Sequence, residues 1–290
     1  MRGIVRSLGL AFGIVTGSLR LLGRYPVLVV PLLPVFLLVL ILEIDLLLVN
    51  NLFVGLFLVF VVAHSLMYSF AITSHMLKQI HHEKKPSLVK AITSSDSVRI
   101  IPKIFVLTVI WFSIILIIVA LEMAIDAALS RFGNAGESAK RAINAAIGTV
   151  ADALRMMGFM LIPIMVFEGI GLAQSFGRLK STLKDSPITA LGGLILTKVV
   201  TTLIFLVVYL SFQSIGSSEN AAILLVLIGF PLLGMGWVFA MYLEQIFVTG
   251  LYLYSAFPES PIVATLLKSH LGRELPAPAS PDVTPQPVIS

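Results

Sequence analysis

The chain has 290 residues and a net charge of +5, and 58% of its residues are hydrophobic while 12% are charged. A soluble domain is typically about one quarter charged, so this chain has too few polar residues to cover a water-soluble globule. It contains no cysteine, which excludes disulfides, thiolate catalysis and cysteine-bound metals. Its apolar residues come in runs of about 20, the length at which a helix crosses a bilayer. We therefore predict an all-α fold, a polytopic transmembrane helical bundle.

Residues 1–25 are predicted to form an amphipathic interfacial helix, because their apolar stretch is too short to span a bilayer. Gly9, Gly13 and Gly17 recur every four residues, so they share one helix face that another helix can approach closely. Two interpretations of this face remain open. It either packs within the chain, or it contacts a second copy or another membrane protein.

Residues 26–274 contain six apolar runs that we expect to be membrane-spanning helices. The predicted limits are 27–49, 52–73, 104–128, 156–173, 188–212 and 221–242, with an extension of the last run toward Tyr254. The runs lack period-two alternation, which favours helices over the strands of a barrel. Asn50 and Asn51 alone separate the first two runs, so these runs should form a tight antiparallel hairpin.

Residues 275–290 differ from the rest of the chain. This segment contains five prolines and almost no bulky apolar residues. Such a composition cannot build a packed core. We therefore predict a disordered, proline-rich tail.

Lysine and arginine are concentrated on one side of the predicted spans. That side carries Arg2, Arg6, Arg20, Arg24, Lys78, Lys84, Lys85, Lys90, Arg99, Lys103, Arg178, Lys180, Lys184, Lys268 and Arg273. The other side holds Arg131, Lys140 and Arg141, with Arg155 near the membrane edge. Because cytoplasmic connections carry the excess of positive residues, we expect a multi-pass plasma-membrane protein with both termini in the cytoplasm.

Each inward connection also contains a short amphipathic stretch, at residues 87–92, 173–183 and 261–271. A helix of this kind lies in the headgroup plane and directs its basic side chains to anionic headgroups, which are the predicted lipid partners. Residues 173–183 could equally extend the fourth span. The three stretches share an order of small polar, apolar and basic residues, which favours three related two-helix units.

Three ionisable residues fall within or beside the last predicted spans. Glu168, Lys198 and Glu244 are therefore the intramembrane polar candidates, since a charge inside a span costs about 2.5–3.5 kcal/mol on insertion scales. They form either an ion or proton site or a salt bridge that fixes the helix register. Lys198 could also extend its side chain toward the headgroups.

Four acidic residues mark the outer ends of the first and third spans, namely Glu43, Asp45, Glu122 and Asp126. If these two spans are neighbours, the four carboxylates form an outer acidic cluster that gathers cations or pairs with Arg131 or Arg155. Otherwise they are boundary charges that fix the ends of separate helices.

No catalytic motif is evident, and we predict neither an enzyme nor a bound cofactor. His75, His81 and His82 lie in HMLKQIHHEKK, and adjacent histidines cannot share a helix face, so a solvated basic loop is favoured over a metal site. His64 should be a hydrogen-bonded core residue. No nucleotide-binding glycine loop or GxSxG motif is present. Membrane topology already explains the basic residues, so no nucleic-acid partner is predicted.

Three segments carry a resemblance to known proteins, namely SLRLLGRYPVLVVPLLPVF, EKKPSLVKAITSS and IPIMVFEGIGLAQSFGRLKSTLKDS. On these segments the chain resembles a poorly characterised prokaryotic family of six-helix membrane proteins. It is also distantly similar to the membrane domain of some glycerophosphodiester phosphodiesterases. The resemblance implies an architecture and no catalytic residues. Two function classes remain, a non-enzymatic membrane scaffold or assembly factor and a small-solute or ion permease.

Overall fold

The computed structural model describes residues 2–49, 51–129, 133–185, 202, 206 and 229–267. These residues form the helices α1 (Arg2–Arg24), α2 (Leu33–Ile44), α3 (Leu52–His81), α4 (Leu88–Thr93), α5 (Ser95–Leu129), α6 (Gly133–Glu168), α7 (Leu172–Asp185), α8 (Phe230–Ala256) and α9 (Pro261–Leu267). A 3₁₀ helix, Pro26–Leu32, leads into α2, and a π-helical segment, Asp45–Val49, follows it. The fold is all-α, as predicted.

Within the described ranges, five segments are long and apolar enough to cross a membrane. They are Pro26–Val49, Leu52–His81, Ser95–Leu129, Lys140–Glu168 and Pro231–Ala256. The prediction of a polytopic helical membrane protein is therefore confirmed. The predicted span at residues 188–212, which contains Lys198, and the tail at residues 275–290 lie outside the described residues, so the count of six spans stays a prediction.

In the part of the chain that the structure describes, four spanning helices form a ring around the interior of the bundle. Helix α2 packs on α3 and α8, and α6 closes the ring between α3 and α8. Phe70, Phe159 and Phe247 are fully buried where α3, α6 and α8 meet, and the rings of Phe70 and Phe159 lie edge to face at 5.0 Å. Helix α5 packs outside this ring on α3 and α6. Its exposed apolar side chains, such as Ile117, suit contact with lipid.

The first two spans form the predicted tight hairpin. Asn51 is the N-cap of α3, and its Oδ1 accepts hydrogen bonds from the backbone N–H groups of Phe53 at 3.0 Å and Val54 at 3.3 Å. These donors have no partner inside the helix, which is why asparagine is favoured at this position. Asn51 therefore starts the second helix of the hairpin.

The short helices gather at the end of the bundle where α3, α6 and α8 terminate. Helix α4 contacts the neighbouring parts of α3 and α5, α7 contacts α6 and α8, and α9 contacts α1, α3 and α8. We call this the basic end, because its exposed cations are Arg20, Arg24, Lys84, Lys85, Lys90, Arg99, Arg178 and Lys180. Among the described helices, α3, α6 and α8 are each followed by a short helix at this end, and the relation among the three two-helix units stays a prediction.

The predicted limits of the fourth span were wrong. Helix α6 begins well before residue 156, at Gly133, and ends at Glu168, so residues 172–185 form the separate helix α7. Gly169 has a φ of +69°, and its N–H donates to the carbonyl of Met165 at 3.0 Å. This is a left-handed C-terminal cap, for which glycine is the favoured residue. The EGIG segment is therefore a helix stop.

Alanine at two glycines, one inside α6 and one directly after it, should have opposite effects on stability. Gly169→Ala should lower the free energy of unfolding by about 1–2 kcal/mol, because a side chain at positive φ is strained. No atom lies within 4 Å of a Cβ placed at either Gly169 or Gly148. Gly148 lies in the interior of α6, so Gly148→Ala should stabilise by about 0.5–1 kcal/mol. Unfolding in mixed micelles measures both changes in the free energy of unfolding. Equal effects of the two variants would contradict the assignment of Gly169 as the residue that ends α6.

Candidate functional site

The C-terminus of α6 is held by two lysines from neighbouring helices. The Lys78 Nζ on α3 donates to the carbonyl of Val166 at 2.8 Å, and the Lys103 Nζ on α5 donates to the carbonyl of Ile170 at 3.0 Å. The last carbonyls of a helix lack partners within it and form the negative end of its dipole. The Lys78 ammonium group satisfies both requirements at Val166, whereas Lys103 binds the segment that directly follows α6. Together the two lysines join α3, α5 and the end of α6 at the basic end.

Glu168 joins α6 to α7 and α8. Its Oε1 lies 2.9 Å from the Nε of Arg178 and accepts a hydrogen bond from the Tyr252 hydroxyl at 2.9 Å. The hydrogen bond to Glu168 raises the pKa of the Arg178 guanidinium above its ordinary value, so this guanidinium stays protonated at physiological pH. The arrangement favours the salt-bridge interpretation of Glu168, because the carboxylate already has two partners.

A cavity of about 70 Å³ lies beside this junction, between α3, α5 and the end of α6. Its lining consists of His75, Asp96, Arg99, Ile100, Lys103, Met165, Val166 and Gly169. His75 is 7% exposed, and its buried Nε2 has no hydrogen-bond partner among the described residues. The cavity therefore combines a buried polar ring with charged groups at the edge of the bundle.

The prediction of a solvated loop was wrong for His75 and His81, which lie on α3. His75 is buried on α3, and the His81 Nδ1, at the end of the same helix, lies 2.9 Å from the Ser260 Oγ. His82 is exposed. His64 has the hydrogen bond expected of it, since its Nδ1 lies 3.2 Å from the Thr108 Oγ1. Among the described residues, no three His, Asp or Glu side chains are grouped as a metal site requires.

A second charge cluster lies inside the spans, between α6 and α8. The Arg155 Nη2 lies 3.2 Å from the Glu244 Oε2 and 3.2 Å from the Asp152 Oδ1. Glu244 is 5% exposed. Residues 155 and 168 are separated along α6 by about 20 Å at 1.5 Å per residue, so Glu168 and Glu244 belong to different sites. Lys198 lies outside the described residues.

The outer acidic residues are distributed over several helix contacts. Asp126 on α5 pairs with Lys140 on α6 at 2.9 Å. Asp45 is buried, and its carboxylate faces Gly55 of α3.

Glu43 lies against Gly234 of α8, at the contact between α2 and α8. Glu122 is half-buried on α5. The expected pairing of these acids with Arg155 is replaced by the Arg155–Glu244 ion pair, and Arg131 lies outside the described residues.

The glycine face of α1 packs within the chain where the structure describes it. A Cβ on Gly17 would overlap the backbone of Leu266 in α9. Gly13 is buried as well, and Gly9 lies on the same helix. A Cβ on Gly250 of α8 would lie 2.8 Å from the Leu266 Cδ1. Leu266 therefore lies between two glycines, and the intramolecular interpretation is favoured at Gly17.

The sequence predicted no partner for Lys78, Lys103 or His75, and it paired Arg155 with the outer acidic residues instead of Glu244. Spacing gives a signal for the cavity, because Asp96, Arg99 and Lys103 recur at helical intervals. The long-range partners leave no such signal. No protein-family model matches this chain, and no curated protein or solved structure is significantly similar to it. The resemblance to the phosphodiesterase-associated membrane domains therefore stays a prediction.

Proposed function

We propose that this protein is a non-enzymatic scaffold or assembly factor of the plasma membrane, whose basic end faces the cytoplasm and gathers anionic lipid. The proposal rests on one observation. The short helices at the basic end expose apolar and cationic side chains next to each other, as in helices that lie in a headgroup layer. The excess of cations at this end supports the cytoplasmic orientation.

Helices α4 and α7 both place exposed apolar side chains next to exposed lysines. On α4, Val89 and Ile92 are exposed beside Lys90. On α7, Leu179 is buried against the bundle while Phe176 is exposed, and Lys180 is exposed one turn later. Apolar side chains of this kind enter the acyl boundary while the lysines remain with the headgroups.

Removal of exposed charge tests this function. We expect Lys84→Gln/Lys85→Gln to lower the preference for anionic over zwitterionic lipid by roughly 30-fold, because each of the two basic residues near an anionic surface contributes about 1 kcal/mol. The measurement is the enrichment of fluorescent phosphatidylglycerol around the protein in vesicles that contain mostly phosphatidylcholine. The enrichment should also fall as the salt concentration rises.

The matched control is Lys140→Gln/Arg141→Gln, which removes two charges far from the basic end. This variant should retain the wild-type enrichment. Equal losses in both variants, or no enrichment by the wild-type protein, would contradict the proposed role. Ion flux is measured in the same vesicles and should be absent.

A permease is the second candidate, and the Arg155–Glu244 pair is the observation that favours it. Ionisable groups buried inside spans often mark ion or proton pathways. A proton or ion current in proteoliposomes that disappears in Glu244→Gln would place the permease ahead of the scaffold. Folded protein without a current would leave the pair with a structural role.

A further inference from the structure

The cavity beside His75 is formed by one face from each of two helices. Asp96, Arg99 and Lys103 are spaced three and four residues apart on α5, so they share the face that borders the cavity. His75 lies opposite on α3, and Lys78 follows it by about one turn. The end of α6 closes the third side.

The charge around the cavity is predominantly positive. Asp96 is the single carboxylate in the described lining, against Arg99 and Lys103, with Lys78 bound to the adjacent Val166 carbonyl. Each ammonium group has three N–H donors, and the described hydrogen bond of each lysine uses one of them. The guanidinium of Arg99 is exposed at the same site. Several donors therefore remain for an anion.

The buried ring of His75 gives an independent indication of a ligand. Its Nε2 lacks a hydrogen-bond partner within the described part of the chain, and a buried polar group without a partner destabilises the folded state. A polar occupant of the cavity would remove this destabilisation. The volume of about 70 Å³ accommodates a small polar group and excludes a large ligand.

We propose that this cavity binds a phosphate group, with Arg99 and Lys103 facing its charge and the His75 Nε2 hydrogen-bonded to one of its oxygens. Arg and Lys form strong charge-assisted hydrogen bonds with phosphate. The Asp96 carboxylate then accepts a hydrogen bond from a protonated phosphate oxygen or from a headgroup hydroxyl. The site lies at the basic end, where a phospholipid headgroup and a free phosphate are both within reach.

This inference deepens the proposed function and rests on it where the phosphate belongs to a lipid. The exposed lysines would gather many exchangeable anionic lipids, whereas the cavity would hold a single phosphate. The two forms of binding therefore differ in stoichiometry. They also differ in the residues on which they depend.

The experiment compares two cavity variants with two controls in the full-length protein. The cavity variants are Arg99→Gln and His75→Phe, and the controls are Lys90→Gln, an exposed cation outside the cavity, and His64→Phe on the same helix. Native mass spectrometry counts the phospholipid retained per chain. Delipidated protein is titrated with inorganic phosphate while its thermal unfolding is followed. We expect one bound phosphate group per chain, weakened about tenfold in each cavity variant, since a hydrogen bond to a charged group is lost.

The outcomes separate the two sources of phosphate. A single retained phospholipid that is lost in Arg99→Gln identifies a headgroup, and binding of inorganic phosphate without retained lipid identifies free phosphate. Both outcomes support the site. No bound phosphate, or equal binding by the Arg99→Gln and Lys90→Gln variants, overturns it. Arg99 is exposed, so its variant keeps the test valid if His75→Phe does not fold.

The same proteins distinguish this site from the scaffold function. A normal response of phosphatidylglycerol enrichment to Lys84→Gln/Lys85→Gln, combined with an empty cavity, rejects the site alone. Tight phosphate binding without any enrichment of anionic lipid rejects the scaffold alone.

Discussion

Arg155→Met is expected to lower the free energy of unfolding by about 3–5 kcal/mol, because it leaves the Glu244 carboxylate inside the bundle without its guanidinium partner. The side chain of Glu244 is 6% exposed, and both nitrogen contacts from Arg155 to it are within 3.3 Å. Removal of one member of a buried ion pair costs far more than the net contribution of the pair. Reversible unfolding in mixed micelles measures this loss.

The other half of the pair should behave differently. In Glu244→Gln, Arg155 keeps Asp152 as a partner at 3.2 Å, so the loss should be clearly smaller than in Arg155→Met. The double variant Arg155→Met/Glu244→Gln should recover part of the stability, because the uncompensated buried charge is then removed. Equal losses in the two single variants, or no recovery in the double variant, would show that the pair is not the source of the effect.

Gly17→Ala is expected to destabilise the packing of α1 on α9 by about 1–3 kcal/mol. The added Cβ meets the backbone of Leu266, and backbone cannot rotate away as a side chain can, so one of the two helices must move. Overpacking of a well-packed contact typically costs this much. Limited proteolysis of the segment around α9 measures whether α9 has separated from α1. Unfolding in mixed micelles measures the loss of stability.

Gly23→Ala is the matched control on the same helix. No atom lies within 4 Å of a Cβ at Gly23, so this variant should be neutral or slightly stabilising. The effect of Gly17→Ala should not change with protein concentration, because the contact lies within one chain. A loss that depends on concentration and is accompanied by a change in oligomer mass would assign Gly17 to an interface between chains.

Span positions could be predicted from the sequence because they depend on the length of apolar runs. The 30-residue α3 and the 35-residue α5 continue beyond their apolar parts into polar turns at the basic end, so their limits were underestimated. The predicted limits of the fourth span differed more strongly from those of α6. Its first half is amphipathic and gives no hydropathy signal for a span, and Gly169 ends it inside an apolar run.

The candidate site was only partly predictable because its contacts join distant parts of the chain. Arg155 and Glu244 are 89 residues apart, and Lys78 and Val166 are 88 residues apart. Local spacing carries no information on such pairs. The apolar residues around Glu244 marked this carboxylate as unusual. Its partner Arg155 lies in a segment whose charged residues resembled those at the edge of a membrane span. The outer acidic residues were predicted to form a cluster because they lie at a similar depth in the membrane. In the structure, helix packing places them against different neighbours.

The contact between Gly17 and Leu266 has a consequence for the order in which the protein is made. A ribosome adds about 5–20 residues per second, so Leu266 is synthesised on the order of 10–50 s after Gly17. For most of that interval Ile14, which is 1% exposed in the finished fold and lies against Gly250 of α8, must be covered by lipid, because neither α8 nor α9 exists yet. The arrival of α8 and α9 then displaces that lipid and closes the bundle. A chain that stops early leaves the apolar face of α1 open, which is a feature that membrane quality-control proteases can recognise.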